Sequence, residues 1–197
     1  MKGTYIDLLS VNKVLFPFVD LGIGDAVCHT GMWERLKNKG YTIQVIAEER
    51  TRVFFEKITD IDELYIIDTN NLESMASIDT DLVISLYSWI RKKEFLNAQL
   101  LLKLNYKYAI SFGGRLKKHF NIYIPVKTPF HITHPQQHIL EILGIYSDAL
   151  EYSISIPNEN ELFIRYYLNL YKKTELSLST PLQARMTEVY LFYNYAS

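Results

Sequence analysis

Short apolar runs alternate with longer amphipathic segments along most of this chain. Runs of about six residues rich in Val, Ile and Leu predict buried strands. Their alternation with helical patterns is typical of an α/β domain with a mainly parallel sheet and flanking helices. We therefore predict a Rossmann-like fold with strands at Val14–Val19, Thr42–Ala47, Glu63–Ile67, Leu82–Leu86, Tyr108–Phe112, Ile122–Ile124 and Ser153–Pro157.

Helices are predicted between these strands by apolar residues that recur every three to four positions. Gly40 and Gly144 follow two of these segments and are expected to end them, because glycine readily adopts the left-handed backbone conformation. Pro17 lies inside the first strand and is expected to weaken it or to mark a bulge. The predicted helices span Asp25–Asn38, Glu49–Lys57, Trp89–Leu104, His134–Leu143 and Glu159–Lys173.

Composition narrows the class of protein. Hydrophobic residues make up 48% and charged residues 22% of the chain, so a folded domain is expected rather than disorder. A formal net charge of −1 predicts no bulk attraction to nucleic acid. Cys28 is the only cysteine, which excludes a disulfide within the chain and fits a reducing compartment. Residues 1–10 lack the pattern of a signal peptide, and the longest apolar run is too short to span a bilayer. We predict a cytoplasmic protein, with peripheral contact to the inner membrane through a lipid-like substrate also compatible.

The loop after the first strand carries the strongest chemical signal. Gly22 and Gly24 precede Asp25, where a helix is predicted to begin. Asp25 could be a simple helix N-cap. The two glycines could instead begin a dinucleotide-binding loop with Glu48 as the ribose-binding acid, although Val27 stands where that motif has its third glycine. In the third interpretation Asp25 is a catalytic base at the mouth of a sugar-transferase cleft.

Two blocks of sequence resemble glycosyltransferase family 9, the lipopolysaccharide heptosyltransferases. The first comprises Leu21–Asp25, the strand after it, and Ile61–Ile67, which matches an "Asp-Glu-Val-Ile" strand. The second comprises Phe112–Arg115, a short strand and basic turn, and His131–Ile145, which matches a "His … Leu-x-x-Leu-Gly-Ile" helix. The order and spacing of these motifs extend the resemblance over about Val14–Lys173.

The resemblance implies the N-terminal, acceptor-side half of a GT-B fold. Family members transfer heptose from ADP-heptose to a lipid-linked lipopolysaccharide core sugar, with inversion and without a metal or other cofactor. Their Gly-Asp aspartate is the proposed general base, which corresponds to Asp25 here. A helix N-terminus favours an ionised carboxylate, so Asp25 would be a weak base that acts mainly by position. The implied acceptor-binding residues are Gly22, Gly24, Gly113, Gly114 and Arg115.

Other charged groups have simpler explanations. Asp79-Thr80-Asp81 looks like a metal-binding Asp-x-Asp motif, but it precedes a strand, whereas ligands bind beyond the carboxyl ends of parallel strands. We predict a turn with solvated acids there, and no metal site. His131, His134 and His138 have suggestive spacing without a neighbouring cysteine or carboxylate cluster. Arg91–Lys93 is expected to form a solvated basic face, whereas Arg115 is better placed to bind a phosphate or carboxylate.

Residues 174–197 have no counterpart in the family. In a shifted reading frame, Ser177–Leu182 can encode a Phe-Ile-Asn-Pro-Phe string, and Met186-Thr187 must encode Asp, as at the start of the family's donor domain. We hypothesise that residues 1–173 form the acceptor domain, that 174–197 are a frameshifted tail, and that the donor domain is absent. The chain would then be inactive alone and prone to self-associate through the uncovered interface. The alternatives are a standalone Rossmann-like module that binds a sugar or nucleotide, and a nicotinamide-dependent oxidoreductase.

Overall fold

The computed structural model describes residues 7–68, 72–85, 91–112, 120–124 and 133–146, all within the compact unit Met1–Ile154. Six strands form one sheet: β1 (Lys13–Phe18), β2 (Thr42–Glu48), β3 (Glu63–Ile67), β4 (Asp79–Ser85), β5 (Asn105–Phe112) and β6 (Ile122–Ile124). The helices are α1 (Ile23–Val27), α2 (Thr30–Asn38), α3 (Arg52–Phe55), α4 (Arg91–Leu101) and α5 (Thr133–Ile142). The strand and helix predicted beyond Ser153 lie outside the described residues.

All neighbouring strands pair in parallel, in the order β3-β2-β1-β4-β5-β6. The predicted Rossmann-like α/β fold is thereby confirmed. The strand order reverses between β1 and β4, and a crevice opens at such a point beyond the carboxyl ends of the strands. The segment that carries Gly22, Gly24 and Asp25 follows β1 directly and therefore lies at this reversal point.

Both faces of the sheet are covered, which explains the apolar runs in its central strands. Val14, Phe16 and Phe18 contribute to the core beneath α2, α3 and α5, whereas Leu15 contributes to the opposite core with residues of α4. The side chains alternate because successive residues of a strand point to opposite faces. In the first of these cores four aromatic side chains, Phe16, Phe18, Trp33 and Phe55, contact one another.

Pro17 causes no bulge. Strand β1 keeps a one-to-one register with β2 from Lys13 to Phe18, including a pairing of Pro17 with Ile46. The ladder between β1 and β4 extends only over Val14 and Leu15. Pro17, which has no N–H to donate, therefore lies beyond the ladder between β1 and β4. The unbroken register with β2 shows that the prediction of a bulge was wrong. The short ladder with β4 is consistent with the predicted weakening of the strand.

Two glycines end their helices as predicted. Gly40 and Gly144 have φ values of 89° and 71°, in the left-handed region. After α5, Gly144 N donates to the Glu141 carbonyl and Ile145 N to the Leu140 carbonyl, a Schellman motif. Leu140, Leu143 and Ile145 are all buried in the core. The "Leu-x-x-Leu-Gly-Ile" motif thus has a structural role, in which it ends the helix and packs it.

The helix predicted over Asp25–Asn38 is in fact two helices. Helix α1 ends at Val27 and α2 begins at Thr30. At the junction, His29 Nδ1 donates to the Asp25 carbonyl oxygen at 2.6 Å, and Thr30 Oγ1 donates to the Val27 carbonyl oxygen at 3.0 Å. Side chains that bond to nearby carbonyls compete with helical hydrogen bonds, which accounts for the break.

Candidate functional site

Asp25 is held at the start of α1, but not as its N-cap. The N-cap is Gly22, and Asp25 occupies the third helical position. Its Oδ2 accepts a hydrogen bond from Gly22 N at 2.9 Å. The N-cap interpretation was therefore wrong in position, although Asp25 does satisfy one free backbone N–H at the helix start. Within the described residues no donor contacts Oδ1, and the side chain is half-exposed, so one carboxylate oxygen remains available.

Gly22 and Gly24 do not adopt the positive φ for which a glycine would be required. Among the described non-glycine residues, Asp20 alone has a positive φ, at 58°, and neither Gly22 nor Gly24 adopts one. A Cβ atom built on Gly24 would meet nothing within 4 Å, and one built on Gly22 would meet only Asp25 Oδ2, at 3.7 Å. Space in the protein therefore does not require these glycines. Their remaining physical effect is an uncovered backbone that an incoming ligand can approach.

The β1–α1 loop is held from the β2 side by a charged network. Glu48 Oε2 accepts hydrogen bonds from Asp20 N at 3.0 Å and from the Arg50 guanidinium, whose NH2 group lies at 2.8 Å. The same NH2 group donates to the Leu21 carbonyl at 3.0 Å. Lys92 Nζ lies 3.1 Å from Asp20 Oδ2. Glu48 and Arg50 therefore fix the path of the chain between β1 and α1.

These contacts weaken the dinucleotide interpretation. The carboxylate of Glu48, at the end of β2, is already bound to Arg50 and to a backbone N–H of the loop. Val27, at the position of the third glycine, is partly buried against the core. A side chain there keeps helix and strand further apart than glycine would. The site therefore presents the Asp25 carboxylate beside the exposed backbone of Gly22 and Gly24, and it lacks the features of a pyrophosphate-binding loop.

The α1–α2 junction lies against α5. Gln136 Nε2 donates to the Cys28 carbonyl at 2.7 Å, across 108 positions of sequence. Burial lowers the pKa of His29 to about 4, against the smaller opposing effect of its bond to the Asp25 backbone. Burial and the nearby charge of Asp25 raise the pKa of the Cys28 thiol. Near neutral pH the site therefore contains a neutral imidazole, a thiol and the Asp25 carboxyl group.

Neither His29 nor Gln136 was predicted from the sequence as a site residue. A signal was present, because His29 lies three and four residues before Met32 and Trp33, and Gln136 lies likewise before Ile139 and Leu140. Residues with that spacing share one face of a helix. A polar residue on an otherwise apolar face therefore marks a buried hydrogen bond, and both side chains are fully buried.

The Asp-x-Asp motif lies at the opposite end of the sheet. Asp79 and Asp81 are within the first three residues of β4, at its amino end, whereas they were expected to precede the strand. They do not form the predicted turn, because both belong to β4, and Asp81 Oδ2 accepts hydrogen bonds from the backbone N–H groups of Asn12 and Lys13. Its Oδ1 lies 2.5 Å from Lys107 Nζ. Asp81 joins the start of β1 to β4 and β5.

The remaining predicted site residues fall into two groups. Gly113, Gly114, Arg115 and His131 lie outside the described residues, so their roles stay predictions. His134 and His138 are exposed on α5, and His138 Nδ1 lies 3.2 Å from Glu141 Oε2. No group of three His, Cys, Asp or Glu side chains within the described ranges could hold a metal ion. No helix in the described part is long and apolar enough to cross a bilayer.

Comparison with known proteins identifies related folds. A glycosyltransferase family 9 structure from Veillonella parvula DSM 2008 aligns with a TM-score of 0.63 and 19% identity, over 91% of this chain and 52% of that chain. E. coli heptosyltransferase WaaC with ADP aligns at 0.57 and 14% identity, over 72% and 51%. E. coli ADP-heptose lps heptosyltransferase II aligns at 0.57 and 14% identity, over 86% and 52%.

No protein-family model matches the sequence, and no curated protein does. The chain spans about half the length of the three solved structures that it resembles. Identities of 14–19% are informative about the fold only. The resemblance to glycosyltransferase family 9 that the motifs predicted is thus confirmed in three dimensions: the chain shares the fold of these enzymes over about half of their length.

Proposed function

We propose that this chain is the acceptor-side half of an inverting, metal-independent sugar transferase similar to the heptosyltransferases. Its substrates would be a lipid-linked lipopolysaccharide core sugar as acceptor and a nucleotide-heptose as donor. The observation that carries the proposal is the placement of Asp25 at the strand-order reversal point, as a half-exposed carboxylate with one oxygen that no donor among the described residues contacts. That crevice is where α/β sheets of this kind bind their ligands.

Asp25 would act as the general base. Its free oxygen would accept the proton of an acceptor hydroxyl, and the hydroxyl oxygen would form a bond to the anomeric carbon of the donor sugar. The bond from that carbon to the diphosphate would break, and the diphosphate would leave with the bonding electrons. Hydrogen-bond contact of about 2.6–3.2 Å between base and hydroxyl is required, so position matters more than intrinsic basicity.

The adjoining backbone supports acceptor binding at the same place. Gly24 is exposed, and the space where its Cβ would stand is open to 4 Å. Gly113, Gly114 and Arg115 are proposed to complete the acceptor site, with the guanidinium on a phosphate or sugar acid.

The 197 residues alone are proposed to bind acceptor without transferring sugar. The structures that this fold resembles are about twice as long, and stabilisation of a departing diphosphate is the largest electrostatic requirement of such a reaction. In this proposal the groups that meet the diphosphate belong to the donor-side half of such a transferase.

The binding test is calorimetric titration of the chain with a delipidated inner-core oligosaccharide. We expect wild-type protein to bind it and Gly24→Ala to bind about tenfold more weakly, because the added methyl group occupies the ligand's approach. Asp25→Asn keeps the side-chain shape and is expected to weaken binding about threefold. Asp79→Asn, at the far end of the sheet, is the matched control and should bind like wild type.

A standalone nucleotide-binding module is the second candidate, favoured by the continuous six-stranded sheet with cores on both faces. Melting temperatures with ADP, NAD and oligosaccharide separate the candidates, because a ligand of the native state raises the melting temperature. If the chain is the acceptor-side half of a transferase, we expect a shift in melting temperature with oligosaccharide only. A shift with ADP alone would favour the binding module, and a shift with NAD would favour a nicotinamide-dependent oxidoreductase.

A further inference from the structure

Helix α1, which carries Asp25, is too short to hold its own conformation. It has five residues, whereas isolated helices below about 12–15 residues are marginal in water. A helix also leaves its last four carbonyl groups without partners inside the helix. The precision with which Asp25 is placed must therefore come from groups outside α1.

Every carbonyl from Gly24 to Cys28 has a donor. Two of the five donors are backbone N–H groups, of Cys28 and His29, which bond to the Gly24 and Ala26 carbonyls. The other three are side chains, and they supply the shorter bonds on average. These are His29 Nδ1 to Asp25 O at 2.6 Å, Thr30 Oγ1 to Val27 O at 3.0 Å and Gln136 Nε2 to Cys28 O at 2.7 Å.

The three side-chain donors are buried, which is unusual for such polar residues. His29 and Gln136 are 0% exposed and Thr30 is 1% exposed. Burial of a polar group is unfavourable unless it forms a hydrogen bond. His29 also packs edge-on against Phe18 at 4.8 Å between ring centres, so the rigid core fixes its direction.

Only one of the two polar atoms of the Gln136 side chain forms a hydrogen bond among the described residues. Its Nε2 is bonded to Cys28, but within the described residues its Oε1 accepts no hydrogen bond. An apolar side chain of the same size would leave no unsatisfied buried acceptor of its own. What a glutamine offers here that an apolar residue cannot is a fixed link between α5 and the end of α1.

We infer that Gln136 and His29 are positioning residues, which fix α1 and so the Asp25 carboxylate without contacting the substrate. This inference rests on the proposed role of Asp25 as the base. It makes α5 part of the site's support, since Gln136 reaches α1 from the buried face of that helix. No motif in the β1–α1 loop itself indicates this dependence.

The test uses Gln136→Met, which removes the donor and keeps the side-chain length. Cys28 is the only thiol in the chain and lies at the junction, so iodoacetamide labelling followed by mass spectrometry reports on this junction alone. We expect Cys28 labelling to accelerate roughly tenfold as α1 opens more often. Gln137→Met, on the next residue of α5, is the matched control and should label at the wild-type rate.

The melting temperature distinguishes positioning from ordinary packing. In Gln136→Met the lost hydrogen bond to Cys28 lowers the stability of the folded protein, whereas removal of the unsatisfied Oε1 raises it. We therefore expect the melting temperature to shift by less than about 3 °C. Oligosaccharide affinity should fall about as far as in Asp25→Asn. His29→Phe, which keeps an aromatic ring in the core, should likewise accelerate Cys28 labelling.

The possible outcomes separate the two proposals. Unchanged Cys28 labelling in both Gln136→Met and His29→Phe would overturn the positioning role. Faster labelling with a large drop in melting temperature would assign both residues to general packing and overturn it as well. If wild-type protein fails to bind oligosaccharide, the proposed function fails, whereas the labelling rates still decide whether Gln136 and His29 hold α1.

Discussion

The two ends of the sheet both carry aspartates in motif-like surroundings, yet they use them in opposite ways. At the amino ends, both oxygens of Asp81 are engaged, by two backbone N–H groups and by Lys107. At the carboxyl ends, Asp25 accepts a hydrogen bond from Gly22 N through Oδ2, and within the described residues its other oxygen has no donor. The same chemical group therefore joins strands at one end and is left available at the other.

The two ends also differ in how they are held together. The amino end depends on an ionised carboxylate: burial pushes the pKa of Asp81 upward, but the bonds from Lys107, Asn12 and Lys13 outweigh it and leave the pKa below its ordinary value. The carboxyl end depends on a buried neutral imidazole, His29. Acid should therefore weaken the carboxyl end first, at a pH where the carboxylate is still charged.

The largest expected effect is the acid destabilisation caused by His29. Its folded pKa of about 4 lies below the unfolded value near 6.5, so the unfolded chain binds the extra proton between these values. The neutral His29 therefore contributes fully to the free energy of unfolding above pH 6.5. This contribution, about 3 kcal/mol, is lost as the pH falls toward 4. Urea denaturation across this window measures it.

Two variants isolate that effect. His29→Phe should flatten the pH dependence between pH 6.5 and 4 whatever its absolute stability. His138→Gln, on the exposed face of α5, should keep the wild-type slope. A wild-type stability that is constant over the window would contradict a buried neutral His29.

The next effect in size is that of Asp81 at the amino end. Asp81→Ala leaves the N–H groups of Asn12 and Lys13 and the charge of Lys107 without their acceptor, and we expect a loss of about 2 kcal/mol. Asp79→Ala removes an exposed bond to Asn105 and should cost less than about 1 kcal/mol. Chemical denaturation at pH 7 compares the free energies of unfolding of the two variants. Equal losses would argue against the proposed role of Asp81 in joining β1 to β4 and β5.

Alanine should lower stability at a glycine with positive φ and raise it at a glycine inside a helix. Gly40→Ala places a Cβ at a φ of 89°, so we expect destabilisation by about 1 kcal/mol. Gly24→Ala lies in α1 with open space around it, so stability should rise by about 0.5 kcal/mol. A stabilised Gly24→Ala protein that binds acceptor poorly would separate function from folding, and one that binds normally would remove Gly24 from the site.

The smallest effect is expected for Lys92. Its ion pair with Asp20 is exposed, with 81% of the lysine side chain accessible. Exposed pairs contribute about 0–1 kcal/mol, and Lys92→Ala should change stability by less than about 0.5 kcal/mol. Thermal melting in low salt tests this, and a larger loss would mean that the β1–α1 loop depends on α4 more than its geometry indicates.

Much of the fold could be predicted because its signals are local. Strands β3 and β6 have the predicted bounds, since short apolar runs between turn residues mark buried strands. Strand β4 begins three residues earlier than predicted, because Asp79 and Asp81 are polar, although Asp79 pairs with Asn105 of β5 and Asp81 accepts a hydrogen bond from Lys13 N of β1. Polar residues that belong to a strand through partners distant in sequence carry no strand signal themselves.

Part of the candidate site could likewise be predicted from local sequence signals. The sequence by itself determined that Asp25 follows a strand and two glycines and therefore lies at the carboxyl edge of the sheet. It also determined the helix ends at Gly40 and Gly144, where the left-handed backbone conformation favours glycine.

Only the tertiary structure decided how Asp25 is held and which neighbouring residues matter. The division between α1 and α2, the positive φ of Asp20, the capture of Glu48 by Arg50 and the bond from Gln136 to Cys28 all depend on groups brought together by folding. Periodicity encodes which face of an element is apolar, but a hydrogen bond across 108 residues depends on the packing of two helices. No local pattern in either segment specifies that contact.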